Sequence, residues 1–169
     1  MVLRLALDQN FPTPLLQAVA DYLPAEVELL HVHRIDSRLP ALSDRDLFIA
    51  LNQLGWDGLV TNNYKMLSVP EEIAAIICTR AVVLAVKGLG HDPLRAAGAL
   101  LLDLPGLANR LRPGVSNVFL LDDGRSPRDG WEYLKEAARK RNHDQDQLWE
   151  LVRVTDAELG RSVLPSTAP

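Results

Sequence analysis

Four polar residues, far apart along the chain, carry the oxygens that could hold a hard divalent cation: Asp8, Asp44, Asn62 and Asn63. Carboxylate and amide oxygens suit Mg2+ or Mn2+, which prefer oxygen donors and keep several of their waters. Two carboxylates on one such ion can activate a bound water and neutralise a phosphate in flight. The plainer reading of the same residues is structural. Asp8 would then cap the turn at Asn10 and Pro12, and Asp44 would only stabilise a helix N-terminus.

The elements that must position these residues follow from the spacing of apolar side chains. Residues 2–7 form an apolar run broken only by Arg4, and Asp8 follows directly, which predicts a buried strand ending at a functional edge. Asn10 and Pro12 open a predicted helix over residues 14–22, with Leu15, Leu16, Val19 and Leu23 at helical spacing. A second strand is predicted over residues 27–32. Ser43 has the character of an N-cap, with Asp46 three residues on, before a helix carrying Leu47, Ile49, Ala50, Leu51 and Leu54; Gly55 is its natural stop. Further strands are predicted over 58–61, 81–86 and 117–121. Helices are predicted over 70–77 and 93–104, the latter opened by Asp92 and Pro93.

Strands alternating with helices at this spacing predict an α/β fold of three layers, α/β/α. Its central, mostly parallel sheet would have about five strands. In such a sheet ligands collect outside the carboxyl ends of the strands. Asp8 ends the first strand, and Asn62 and Asn63 end the third. Asp44 begins the helix that leads into the third strand, so it starts on that same edge. The topology therefore predicts that all four residues converge.

Composition bounds the rest. The chain has 169 residues, 47% hydrophobic and 24% charged, which suits a soluble domain with a sizeable core. The net charge of −4 argues against a strongly electrostatic, sequence-independent nucleic-acid binder, though not against an enzyme with a local basic patch. Lys135, Arg139, Lys140 and Arg141 form such a patch, or else a solvated helix face. There is one cysteine, Cys78, and hence no disulfide framework; a cytoplasmic setting without membrane spans is expected. Asp8 arrives too early for a secretory leader. Residues 125–161 read as a charged helical C-terminal extension, with Trp131, Leu134, Leu148, Trp149, Leu151 and Val152 able to pack on the body at 1–124. Residues 162–169 read as a disordered tail.

The motifs also resemble a family. Leu7-Asp8-Gln9-Asn10-Phe11-Pro12 resembles the opening signature of the PIN-like proteins grouped under the DUF5615 label. Leu42-Ser43-Asp44-Arg45-Asp46-Leu47 resembles their acidic helix start, and Gly58-Leu59-Val60-Thr61-Asn62-Asn63 their strand and turn. The order and separations agree, and the resemblance spans about residues 1 to 121. It implies a metal-dependent endoribonuclease related to the toxins of toxin–antitoxin pairs, using Mg2+ or Mn2+, with RNA as substrate. It implies an antitoxin partner as well, and a homodimer is a further expectation. Asp8 and Asp44 match the family's acids, with Asp8, Asp44 and Asn63 catalytic and Asn10 and Lys65 on the substrate side. Two departures stand out: Asn63 and Lys65 occupy positions that are usually acidic. They leave open a second reading, a catalytically degenerate binding or interaction module.

Other features carry less. His31 and His33 would face one side of a continuing strand but lack a third ligand. Lys87-Gly88-Leu89-Gly90-His91 lacks the spacing of a phosphate loop and reads as a tight connection. Cys78 reads as a core thiol. Trp56 is expected to pack by the third strand, and Trp131 and Trp149 to anchor the extension.

Overall fold

The computed structural model describes residues 2–11, 14, 17–18, 20–87, 92–111, 117–121 and 127–164. Five parallel strands make the sheet: β1 (Leu3–Leu7), β2 (Val27–His31), β3 (Gly58–Thr61), β4 (Val82–Val86) and β5 (Asn117–Leu121), in the order β2-β1-β3-β4-β5. The chain steps from β1 to β2 on one side and then returns to place β3 on the other. The crevice between the ends of β1 and β3 is thus the topological switch point.

The helices are α1 (Val32–Ile35), α2 (Asp44–Gln53), α3 (Pro70–Thr79), α4 (Pro93–Ala108), α5 (Gly130–Lys140), α6 (Gln145–Val152) and α7 (Asp156–Gly160). Alternate strand residues separate two cores, as the two-residue strand period requires. Leu5, Leu7, Val60, Leu84 and Phe119 pack with Ala96, Leu100 and Leu104 of α4. Ala6, Leu59, Val83 and Val118 face α2 and α3 on the other side. The architecture is α/β with three layers, as the alternation implies.

Local signals act where the sequence places them. Ser43 Oγ accepts from the Asp46 N–H at 3.2 Å to start α2, and Gly55 takes a φ of +75° just past its end. Asp92 caps α4 through the Arg95 N–H at 3.0 Å. That helix runs beyond residue 104, through Pro105, to Ala108. Gly58 is required by space: a Cβ there would stand 1.9 Å from the Val82 carbonyl oxygen on the adjoining strand.

Three expectations change. The second strand stops at His31, because its ring accepts the His33 N–H at 3.4 Å and starts α1. His31 and His33 therefore do not alternate along a strand; their rings lie 4.2 Å apart and their Nδ1 atoms share a hydrogen bond. The C-terminal segment packs on the body as expected through Leu134, Leu148 and Val152, which join Tyr133 and Ala137 in the core over α2 and α3, but not through every residue. Trp131 and Leu151, expected to pack on the body, are 40% and 76% exposed. Trp131 packs instead at a tilt of 52° against half-buried Trp149, ring centroids 4.5 Å apart. Finally, Val163 and Leu164 lie against the core, and the Val163 N–H donates to Gln53 Oε1 at 3.2 Å, so this part of the tail is placed. Parts of the predicted first helix, residues 88–91 and residues 165–169 lie outside the described residues. No helix among the described residues is long and apolar enough to cross a membrane.

Candidate functional site

The carboxyl ends of β1 and β3 hold a continuous hydrogen-bonded path. Asp8 is 6% exposed, just past the end of β1, with its backbone N–H on the Val60 carbonyl at 2.9 Å. Its Oδ2 accepts from the buried Thr61 hydroxyl at 2.6 Å. The Thr61 oxygen in turn accepts the Asn63 backbone N–H at 2.9 Å. Asn63 then donates its side-chain amide to Asp44 Oδ2 at 3.0 Å. Asp8, Thr61, Asn63 and Asp44 are joined link by link at the switch point.

Asp44 enters from above because α2 feeds a parallel strand and so begins at the carboxyl edge. By the same geometry α3, which leaves β3 through a 3-10 turn at Tyr64–Ser68, also begins there. It brings Glu72 in its first turn. Sequence reasoning missed Glu72, although the topological argument that places Asp44 places it equally. It also missed Thr61, whose signal was a polar residue ending an otherwise apolar strand.

Burial and neighbouring acids disfavour ionisation of two carboxyl groups at this edge. Burial, and then the charge of Asp8, push Asp44 above its ordinary value, while the Asn63 hydrogen bond pulls the other way. Burial pushes Glu72 up to about 7, with help from Asp44 and Glu71, and its Oε2 is buried without a hydrogen-bond partner. Glu72 Oε2 is thus an oxygen without a partner near Asp44 and Glu71, and oxygen donors are the kind that suit Mg2+ or Mn2+. Among the described residues, no three His, Cys, Asp or Glu side chains form a metal-holding group by themselves. Amide oxygens and waters would have to complete any coordination shell.

The remaining predicted residues are placed as follows. Asn62 is half-buried beside Asn63, and Asn10 and Lys65 are exposed. Asp46 turns to its own cap, where it accepts from the Ser43 hydroxyl at 2.9 Å. It lines a cavity of about 310 Å³ with Ile49, Glu158 and Arg161. At the neighbouring strand end, buried His31 bonds the Phe11 carbonyl at 3.0 Å through Nε2 and so steadies the turn after Asp8. Burial, and then His33, lower its pKa, against the raising effects of the Phe11 carbonyl and Asp8. In the basic segment, Arg141 is tied to the Ala137 and Ser68 carbonyls at 3.3 and 3.1 Å, whereas Lys135, Arg139 and Lys140 are exposed. Cys78 is half-buried, and burial pushes its thiol up, as suits an unreactive thiol.

Compared with models of protein families, with curated proteins and with solved structures, the chain matches none.

Proposed function

We propose that this protein is a PIN-like, metal-dependent endoribonuclease working at the carboxyl edge of β1 and β3. The observation that carries the reading is the meeting of Asp8 and Asp44, 36 residues apart in sequence, at the switch point of the sheet. Their charges act on one another there. Asp8 and Asp44 would hold Mg2+ or Mn2+, with Asn62 as an amide donor. When bound, the ion supplies the Lewis acidity that activates water and offsets charge on a phosphodiester.

The chain's own residues do the rest. The Thr61 hydroxyl fixes Asp8 Oδ2 and so orients the carboxylate. Asn63 holds Asp44 in place through its Nδ2 and keeps its own carbonyl oxygen for the edge. Lys65 and Asn10 are both exposed, and the resemblance assigns them to the substrate side. On this reading the resemblance supports an antitoxin as a partner.

The test is Mn2+-stimulated cleavage of single-stranded RNA by the wild type and Asp8→Asn. Cleavage is expected to vanish in the variant while the melting temperature stays nearly unchanged. Equal cleavage by both proteins sinks the mechanism.

One observation favours a second reading, a non-catalytic interaction module. Asn63 offers Asp44 a neutral N–H donor, which partly satisfies that carboxylate without a cation. Calorimetric titration separates the two. Mn2+ binding that is lost in Asp8→Ala supports the enzyme, and no binding at millimolar Mn2+ supports the module.

A further inference from the structure

The first turns of α2 and α3 carry the acids that flank the switch point, and one guanidinium joins those turns. Arg45, next to Asp44, donates through Nη1 to the carbonyls of Glu71 at 3.1 Å and Val152 at 2.7 Å. Through Nη2 it reaches the Arg153 carbonyl at 3.2 Å and both oxygens of Glu158 at 3.1 and 3.3 Å. A cation in the first turn of a helix opposes the helix dipole, so this placement is unfavourable unless other acceptors offset it. Here three carbonyls and a carboxylate do so.

The guanidinium is a rigid planar fork, and bonds to three separate segments fix those segments relative to one another. The Glu71 carbonyl belongs to the residue before Glu72. Through that carbonyl Arg45, in the first turn of α2, is tied to the first turn of α3.

We propose that Arg45 is a positioning residue of the carboxylate edge, setting Asp44 against the start of α3 by locking both helix starts to the C-terminal segment Val152–Glu158. That segment then governs the geometry of the edge without touching it. The proposal rests on the metal reading only for what the positioned carboxylates do.

The experiment follows the Asn63 side-chain amide protons by 15N NMR without metal, since they report the bond to Asp44. Arg45→Met keeps the apolar stem and removes the donors. Its Asn63 amide signals are expected to move toward the free-amide position, with solvent exchange about fivefold faster, the factor for losing one ordinary hydrogen bond. Gln53→Ala is the control. Gln53 also ties the C-terminal segment, donating to the Leu159 and Arg161 carbonyls at 2.9 and 2.8 Å, but from the far end of α2. It is expected to leave the Asn63 signals in place.

Unchanged Asn63 signals in folded Arg45→Met overturn the proposal, as does an equal shift in Gln53→Ala. If Arg45→Met fails to fold, Arg45→Lys replaces it. Lysine keeps the charge without the fork, and a smaller shift of the same sign is expected, whereas no shift overturns the proposal. A parallel Mn2+ titration keeps the two ideas apart. Wild type that binds no Mn2+ removes the metal reading and leaves the Asn63 result standing.

Discussion

Asn63 hands its side-chain N–H to Asp44 Oδ2 at 3.0 Å, joining the end of β3 to the first turn of α2. A carboxylate at this position would face Asp44 with like charge and would need a cation between them. The amide instead donates, which lets Asp44 sit near Asp8 in a cation-free protein. Asn63 therefore supplies a donor where an acid would add a second negative charge.

Asn63→Asp tests that role. In EDTA the variant is expected to lose about 1–3 kcal/mol, because a hydrogen bond to a charged acceptor becomes a repulsion. Mn2+ should then raise its melting temperature by more than it raises that of the wild type. Thermal melts with and without Mn2+ check both halves, and a variant as stable as wild type in EDTA refutes the assignment.

Thr61→Val probes the other half of the path. Valine matches threonine in shape but removes the hydroxyl that donates to Asp8 and accepts from the Asn63 N–H. The buried Asp8 carboxylate loses a partner, and a loss of about 2 kcal/mol in urea denaturation is expected. If the proposed nuclease reading holds, RNA cleavage falls as well, since Asp8 is no longer oriented.

Glu72 predicts a pH dependence. Its carboxyl keeps its proton in the folded protein up to about 7, against 4.5 as the ordinary value. The folded state thus binds more protons between those values. Its contribution to stability is full below the ordinary value and is lost as pH rises through 7. The upward shift of Asp44 acts in the same direction. Glu72→Gln stays neutral throughout, so its melting temperature should gain on the wild type as pH rises through 7 in metal-free buffer. A constant difference across the series would show that Glu72 ionises normally.

Gly58→Ala should be among the most damaging single-methyl additions. The new Cβ would meet the Val82 carbonyl oxygen at 1.9 Å, and that atom belongs to the backbone of a central strand. Strands must separate to admit it, with an expected cost of about 3 kcal/mol. A chemical denaturation midpoint close to the wild type would contradict this.

Much of this was legible in the sequence wherever the governing physics is local. The N-caps at Ser43 and Asp92, the stop at Gly55, and the strand at Asn117–Leu121 follow from the preferences of a few adjacent residues. The placement of Asp8, Asp44 and Asn63 on one edge follows from direction alone, since parallel strands end on one side and helices between them begin there. His31 and His33 were misread because alternation holds only while the strand continues, and the His31 side chain itself ends it.

The tertiary structure decided the partners. Asp8 and Thr61 are 53 residues apart, and Arg45 and Glu158 are 113 apart, distances over which periodicity carries no information. Whether Asn63 would be a ligand or a donor, and whether the charged C-terminal segment would be an appendage or part of a layer, depended on which surfaces had to be buried against α2 and α3. The residue types and the edge they occupy were local properties of the chain. Their charge balance was settled only when folding partly buried Asp44 and Glu72, gave Asp44 the Asn63 amide as a donor and left Glu72 Oε2 without one.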